Sequence, residues 1–255
     1  MATRKQQRKR PAPESYRERT YRGSITAGKL IAFEVQVKET DLQILAPADL
    51  REEATNLVFQ CRSQLENYIA AHPTFLSSLI PLPPDPLAPP IVKEMQRAAQ
   101  PAGVGPMAAV AGAVAEFVGR GLLALGCDEV VVENGGDIFL HRKEACVAAI
   151  FAGTSPLSNR VGISIAPEQM PLGVCTSSGR IGHSLSLGKA DAVTVLAAST
   201  LLADAAATRL GNEVKTNNDI EQALAVARAI PGLTGVIIIR EDRLGAWGEV
   251  ELVRL

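Results

Sequence analysis

Residues 130–140, VVVENGGDIFL, set two runs of β-branched and aromatic residues on either side of an Asn134-Gly135-Gly136-Asp137 turn. Gly135 and Gly136 can both take positive φ, as a two-residue hairpin loop demands. The stretch therefore predicts an antiparallel hairpin. From the residues alone this turn has two readings. It is a plain hairpin loop, or it is a turn whose bare backbone admits a ligand, with Glu133 and Asp137 accepting from ribose hydroxyls.

Outward from this hairpin, residues 21–45 alternate around the polar break Lys38-Glu39-Thr40-Asp41 and predict a second one. Strands are expected over 129–133 and 138–141, the arms of the first hairpin, and over 147–151, 161–165, 173–176, 193–196, 236–240 and 249–253. Leu50, Ala54, Leu57, Val58, Cys61, Leu65 and Ile69 recur at helical steps and give one buried face. Helices are also expected over 91–99, 107–125, 200–210 and 220–229, with Gly211-Asn212 capping the third of these. The proline-heavy run 72–90 predicts an ordered strap in which Phe75, Leu76, Leu79 and Ile80 seek burial. An early hairpin, then helices, then late antiparallel pairs indicate an α+β fold with helices layered on a largely antiparallel sheet. No G-x-G-x-x-G follows a first strand and no P-loop lysine motif occurs, which disfavours classical NAD and ATP binding.

A chain of 255 residues, 47% hydrophobic and 21% charged, can bury one substantial core. A net charge of −1 gives no overall field for nucleic acid or an anionic membrane. Residues 1–19 carry Arg4, Lys5, Arg8, Lys9 and Arg10 with few large apolar side chains, so a disordered basic arm is expected before a single domain over 20–255. The arm reads as a solvated terminus, with RNA contact as the alternative. It lacks the apolar stretch of a secretory signal. Gly112, Glu116, Gly119, Arg120 and Gly121 interrupt 107–125, which marks a core helix rather than a membrane span. Its small residues suit close packing within a protomer or across a homodimer. Cys61, Cys127, Cys146 and Cys175 lie far apart and form no C-x-x-C pair, as expected of reduced thiols in the cytoplasm.

Two segments carry candidate chemistry. Residues 172–195, LGVCTSSGRIGHSLSLGKADAVTV, gather Thr176, Ser177, Ser178, Gly179, His183, Ser184, Ser186 and Gly188 between two strands. Their hydroxyls and flexible amides suit a diphosphate cradle, and His183 is a candidate for proton transfer. Cys175 reads as core rather than nucleophile. Residues 199–212, STLLADAAATRLGN, place Asp204 and Thr208 four apart on one helical face, where a carboxylate and a hydroxyl can share a Mg²⁺ ion. The alternative pairs Asp204 with an arginine and turns Thr208 back on a carbonyl.

Taken in order, AAVAGAVAE at 108–116, ENGGD at 133–137, TSSGRIGH at 176–183 and ADAAAT at 203–208 resemble the ApbE superfamily, the FAD:protein FMN transferases and their relatives. That family carries G-x-x-K-G-Y-x-x-D on a helix, then N-x-G-G-D, a Ser/Gly loop ending in histidine, and A-D-A-x-x-T. The resemblance implies an ApbE-like, T-fold-related architecture and a flavin nucleotide, FAD or FMN, held near Asn134, Gly135, Gly136 and Asp137 and near Thr176, Ser177, Ser178 and Gly179. It implies Mg²⁺ held by Asp204, Thr208 and a backbone carbonyl at about Val110. If the chain is a transferase, it implies transfer of FMN to a protein acceptor, with His183 or Asp191 managing protons. Two departures stand out: Ala111 occupies the lysine position, and the H-x-x-D-P-x-T-G signature is replaced by His183-Ser184-Leu185-Ser186-Leu187-Gly188. The resemblance thus marks a divergent cytoplasmic branch, with a non-catalytic flavin-binding or sensing module as the alternative to an enzyme.

Overall fold

The computed structural model describes residues 29–179 and 188–255. The expectations for the arm 1–19 and for His183 lie outside them. Strand β1 (Ile31–Val37) turns at Lys38 into β2 (Thr40–Ala46), in the register Val37↔Thr40. Four helices follow: α1 (Arg51–Ala71), α2 (Thr74–Ser77), α3 (Pro90–Ala102) and, after a 3-10 turn at Pro106–Ala109, α4 (Val110–Ala124). The deciding hairpin is β3 (Val130–Asn134) and β4 (Asp137–His141). Gly135 and Gly136 sit at φ 68 and 105, and Asn134 faces Asp137 across the two-residue loop.

The remaining strands are β5 (Cys146–Ala149), β6 (Val161–Ile165), β7 (Leu172–Ser177) and β8 (Ala192–Ala197). Helices α5 (Thr200–Glu213) and α6 (Ile220–Arg228) then precede β9 (Leu233–Arg240), β10 (Arg243–Gly248) and β11 (Glu251–Arg254). Among the described residues, eight strands form one sheet in the order β1-β2-β3-β4-β7-β8-β9-β10, with every neighbouring pair antiparallel. A smaller sheet, β11-β6-β5, is also antiparallel. This is the α+β architecture the strand and helix pattern predicts.

Three apolar clusters hold the layers together. Helices α1, α3 and α4 bury Val58, Met95, Val118 and Leu122 against Phe33, Leu42, Val132 and Phe139 of the sheet. Helices α5 and α6 bury Ala206, Leu210 and Leu224 against Val193, Val195 and Ile238. On the opposite face, Ile163 and Ile165 of the small sheet meet Val174, Leu196, Ile237 and Ile239. Strand β9 is covered from both sides, which is why VIIIR lacks polar alternation. The segment Pro106–Ala124 is long and apolar enough to cross a bilayer, yet half of it is buried here, largely against sheet and helices.

Three expectations need correction. Of the four apolar side chains expected to seek burial in the strap, Phe75 alone is buried, packed edge-on to Tyr68, while Leu76, Leu79 and Ile80 are 56%, 62% and 69% exposed. The short helix α2 turns Phe75 inward and leaves Leu76 outward, and Leu79 and Ile80 follow in irregular chain, where prolines remove backbone donors. Helix α5 runs past Gly211 and Asn212 to Glu213, and Gly211 does not adopt positive φ. The tight approach lies at Gly188 instead, where a Cβ would meet the Gly211 carbonyl oxygen at 1.7 Å. Strand β10 was not expected, because RLGAWG has little strand character of its own; pairing along β9 supplies it.

Candidate functional site

Helix α4 begins without a side-chain cap of its own. Its free N–H groups are met by α5: Asp204 Oδ2 accepts from the Gly112 amide at 2.8 Å, and the Ala111 amide also points to this carboxylate. On the neighbouring hairpin, Asn134 Nδ2 donates to the Ala111 carbonyl at 3.0 Å. Residues 111–112 thus join the turn of the hairpin, 23 residues on, to α5, 92 residues on. The approach is close: a Cβ on Gly112 would lie 2.5 Å from the Thr200 carbonyl oxygen and 2.9 Å from Asp204 Cβ.

Beneath α5, Asp137 on β4 pairs in register with Cys175 on β7. Asp137 and Asp204 are 8% and 9% exposed and close enough to repel each other. Burial pushes the Asp137 carboxyl well above the ordinary carboxylate range; the Asp204 charge adds to this, and a hydrogen bond from Cys175 opposes it. Burial also raises Asp204, against the pull of the Gly112 and Ala111 amides. The Cys175 thiol is raised by burial and by both carboxylates, so it is no ready nucleophile. Among the described residues no lysine or arginine bonds either carboxylate. The expected alternative of an arginine on Asp204 is replaced by the helix amides.

The other expected residues fall into two groups. Thr176 and Ser177 continue β7 beyond Cys175: the Thr176 hydroxyl pairs with the Thr194 hydroxyl at 2.9 Å, and Ser177 lies against Gly211 of α5. Ser178 and Gly179 follow, and the Gly179 amide donates to the Ala190 carbonyl at 3.0 Å. Thr208 is half-buried one turn beyond Asp204, and Val110 is half-buried at the start of α4. Asn134, Asp137, Ser177 and Asp204 therefore surround one region of the molecule. Glu133 is not available to a ribose, being buried with Oε1 accepting the Gly136 amide at 2.8 Å. Asp191 is not brought to this region. Its Oδ2 accepts from the Glu241 amide, and it lines a separate cleft of about 350 Å³ with Thr154, Ser155, Pro156, Glu241 and Asp242.

In the sequence Glu116 reads as a charge interrupting an apolar helix and as the last residue of AAVAGAVAE. It is buried, and Oε2 accepts from the Thr200 amide at 2.7 Å, at the N-terminus of α5. The carboxylate at the end of AAVAGAVAE was the one available signal of this role.

The family model described as "AbpE bacteria" matches residues 22–239. A UPF0280 protein of Methanococcus aeolicus is 38% identical over 226 residues, covering 87% of this chain and 91% of that protein. A UPF0280 protein of Methanothrix thermoacetophila is 43% identical over 205 residues, covering 80% and 85%. Among solved structures, the flavinyl transferase ApbE of Pseudomonas stutzeri in its apo form aligns with a TM-score of 0.53 at 15% identity, over 86% of this chain and 94% of that one. The flavin transferase ApbE of Vibrio cholerae aligns with a TM-score of 0.53 at 17% identity, over 86% and 96%.

Proposed function

This chain belongs to the AbpE bacteria family as a divergent member of the ApbE-like superfamily, and from that premise we propose that it binds a flavin nucleotide, FAD or FMN, where α4, the 134–137 turn, β7 and α5 meet. One observation carries the reading: three stretches far apart in sequence close around the buried Asp137–Asp204 pair. The fold shared with proteins named as flavin transferases supports a flavin-related function.

In this reading Asn134, Gly135, Gly136 and Asp137 border the nucleotide from the hairpin, and Thr176, Ser177, Ser178 and Gly179 offer hydroxyls and amides to its phosphates. Asp204 and Thr208, with a backbone carbonyl near Val110, would hold Mg²⁺. The residues fit such an ion, because Asp137 and Asp204 are buried side by side with no cationic side chain bonded to them among the described residues, and a bound cation would favour the charged forms that burial disfavours. Among the described residues no group of three or more His, Cys, Asp and Glu side chains forms a metal cluster, so the other ligands would be hydroxyl, carbonyl and water oxygens, the set magnesium prefers. Bound there, the ion would neutralise phosphate charge. Asn134 keeps the start of α4 against the hairpin and the Asp204–Gly112 bond keeps it against α5, which orients that oxygen set.

If the protein is a transferase, the FAD pyrophosphate is cut, FMN passes to the hydroxyl of a protein acceptor, and AMP leaves. Proton handling at the acceptor would fall to His183 or Asp191, of which Asp191 bonds the Glu241 amide in another cleft. A second reading, a binding or sensing module, is favoured by position 111. Where the resemblance places a lysine, Ala111 offers only backbone, its amide toward Asp204 and its carbonyl to Asn134. Four free cysteines suit a reducing, cytoplasmic setting, which cell fractionation tests.

Titration with FAD and FMN, with and without Mg²⁺, followed by an AMP-release assay with candidate acceptor proteins, separates the readings. Binding with AMP release supports the transferase, and binding without turnover supports the module. Failure to bind either nucleotide removes both.

A further inference from the structure

We propose that Glu116 is a positioning residue that fixes α5 lengthwise against α4 and thereby sets where Asp204 stands. The two helices run antiparallel: Gly112 of α4 lies beside Thr200 and Asp204, and Glu116, one turn further along α4, reaches back to the start of α5. Glu116 Oε2 accepts the Thr200 amide at 2.7 Å and the Ser199 hydroxyl at 3.5 Å, and the Leu201 amide adds a further donor. Thr200 and Leu201 are the first helical residues of α5, whose amides have no partner within their own helix. The other oxygen is tied to Arg120 at 3.4 Å, and Arg120 is tied at 3.0 Å to Glu94 of α3.

Asp204 returns the contact by taking the Gly112 amide at 2.8 Å. Each helix thus closes the other's N-terminus with a carboxylate from within its own length. Asp204 follows Thr200 by one rigid turn, so the anchor at Thr200 dictates its place. A slip of one residue would move Asp204 by about 1.5 Å along the axis and about 100° around it, which takes its carboxylate off the Gly112 amide. Glycine at 112 permits the approach but specifies no register. The bonds to Thr200 and Leu201 do specify one.

The consequence for cation binding rests on the flavin reading, whereas the register is a property of the ligand-free chain. The test therefore reads both, in the full-length protein and in the variants Glu116→Ala, Glu116→Asp, Glu116→Gln and Val58→Ala. Val58 is a buried residue of α1, a helix that packs chiefly on α4, β1 and α3 rather than on α5, and serves as a control for loss of stability alone. Amide hydrogen exchange at Gly112 reports the Asp204 bond, and Mn²⁺ titration followed by electron paramagnetic resonance reports cation affinity. Glu116→Asp, whose carboxylate is one methylene short, and Glu116→Ala should speed Gly112 exchange at least tenfold. Glu116→Gln keeps an acceptor and should stay within threefold of wild type. Val58→Ala should leave Gly112 no more altered than other amides of α4. Where wild type binds Mn²⁺, Glu116→Asp should weaken binding about tenfold and Val58→Ala should not. Unchanged Gly112 exchange in Glu116→Asp and Glu116→Ala overturns the inference, as does an equal effect from Val58→Ala. If wild type binds neither Mn²⁺ nor flavin, the functional reading falls, and the exchange data still decide the role of Glu116.

Discussion

Single residues carry the electrostatic character of this site. Glu116 is mostly buried, and burial raises its carboxyl above the ordinary value of 4.5 against the pull of the Thr200 amide and Arg120, with nearby Glu94 adding to the rise. A carboxyl whose folded value is raised contributes stability that is complete below its unfolded value and is lost as pH rises through the folded one. Glu116→Gln has no such titration. Urea midpoints measured from pH 4.5 to 8 should therefore shift in favour of the variant, relative to wild type, as pH rises; parallel curves would show that Glu116 does not titrate in this range. Cys175 gives a simpler test. It is fully buried with a raised thiol, so maleimide should label it only as fast as the chain unfolds, and prompt labelling under native conditions would contradict that burial. Asp137 and Asp204 were recognisable in the sequence as candidate oxygen donors. That both are buried and repel each other was not, since it depends on β4 and α5 meeting.

At the level of elements, the site depends on how closely α4 and α5 approach. In Gly112→Ala a Cβ would press on the Thr200 carbonyl oxygen at 2.5 Å, a backbone atom that cannot rotate away. Overpacking of about 1–3 kcal/mol competes with the roughly 1 kcal/mol that alanine gains over glycine in a helix. A net loss of up to about 2 kcal/mol in chemical denaturation is expected, with weaker flavin binding if the helices part. The strap behaves in the opposite way. Leu79 and Ile80 are 62% and 69% exposed, so Leu79→Ser and Ile80→Ser should change stability by no more than about 0.5 kcal/mol. A loss several times larger would mean that these side chains are covered in solution. Periodicity located most helices and strands to within a few residues. It missed β10, whose pairing with β9 is a tertiary effect, and it ended α5 early by reading Gly211 as a cap.

For the molecule as a whole, the family match begins at residue 22, beyond the basic arm. Removal of residues 1–19 should leave FAD affinity within about twofold of the full chain in the same titration, a change of about 0.4 kcal/mol. A large loss would make the arm part of the site. By itself the sequence determined the class of fold, because strand alternation, helical periodicity and the Asn-Gly-Gly-Asp turn are local signals written in neighbouring residues. It also supplied the chemical types of the site residues. Only the tertiary structure decided which of them meet: it joins Asn134 to Ala111, sets Asp204 on Gly112 and Glu116 on Thr200, and takes Asp191 to another cleft. The physical reason is that these bonds span from about twenty to about ninety residues. Their partners are chosen by how helices and strands pack, and no local pattern encodes that choice.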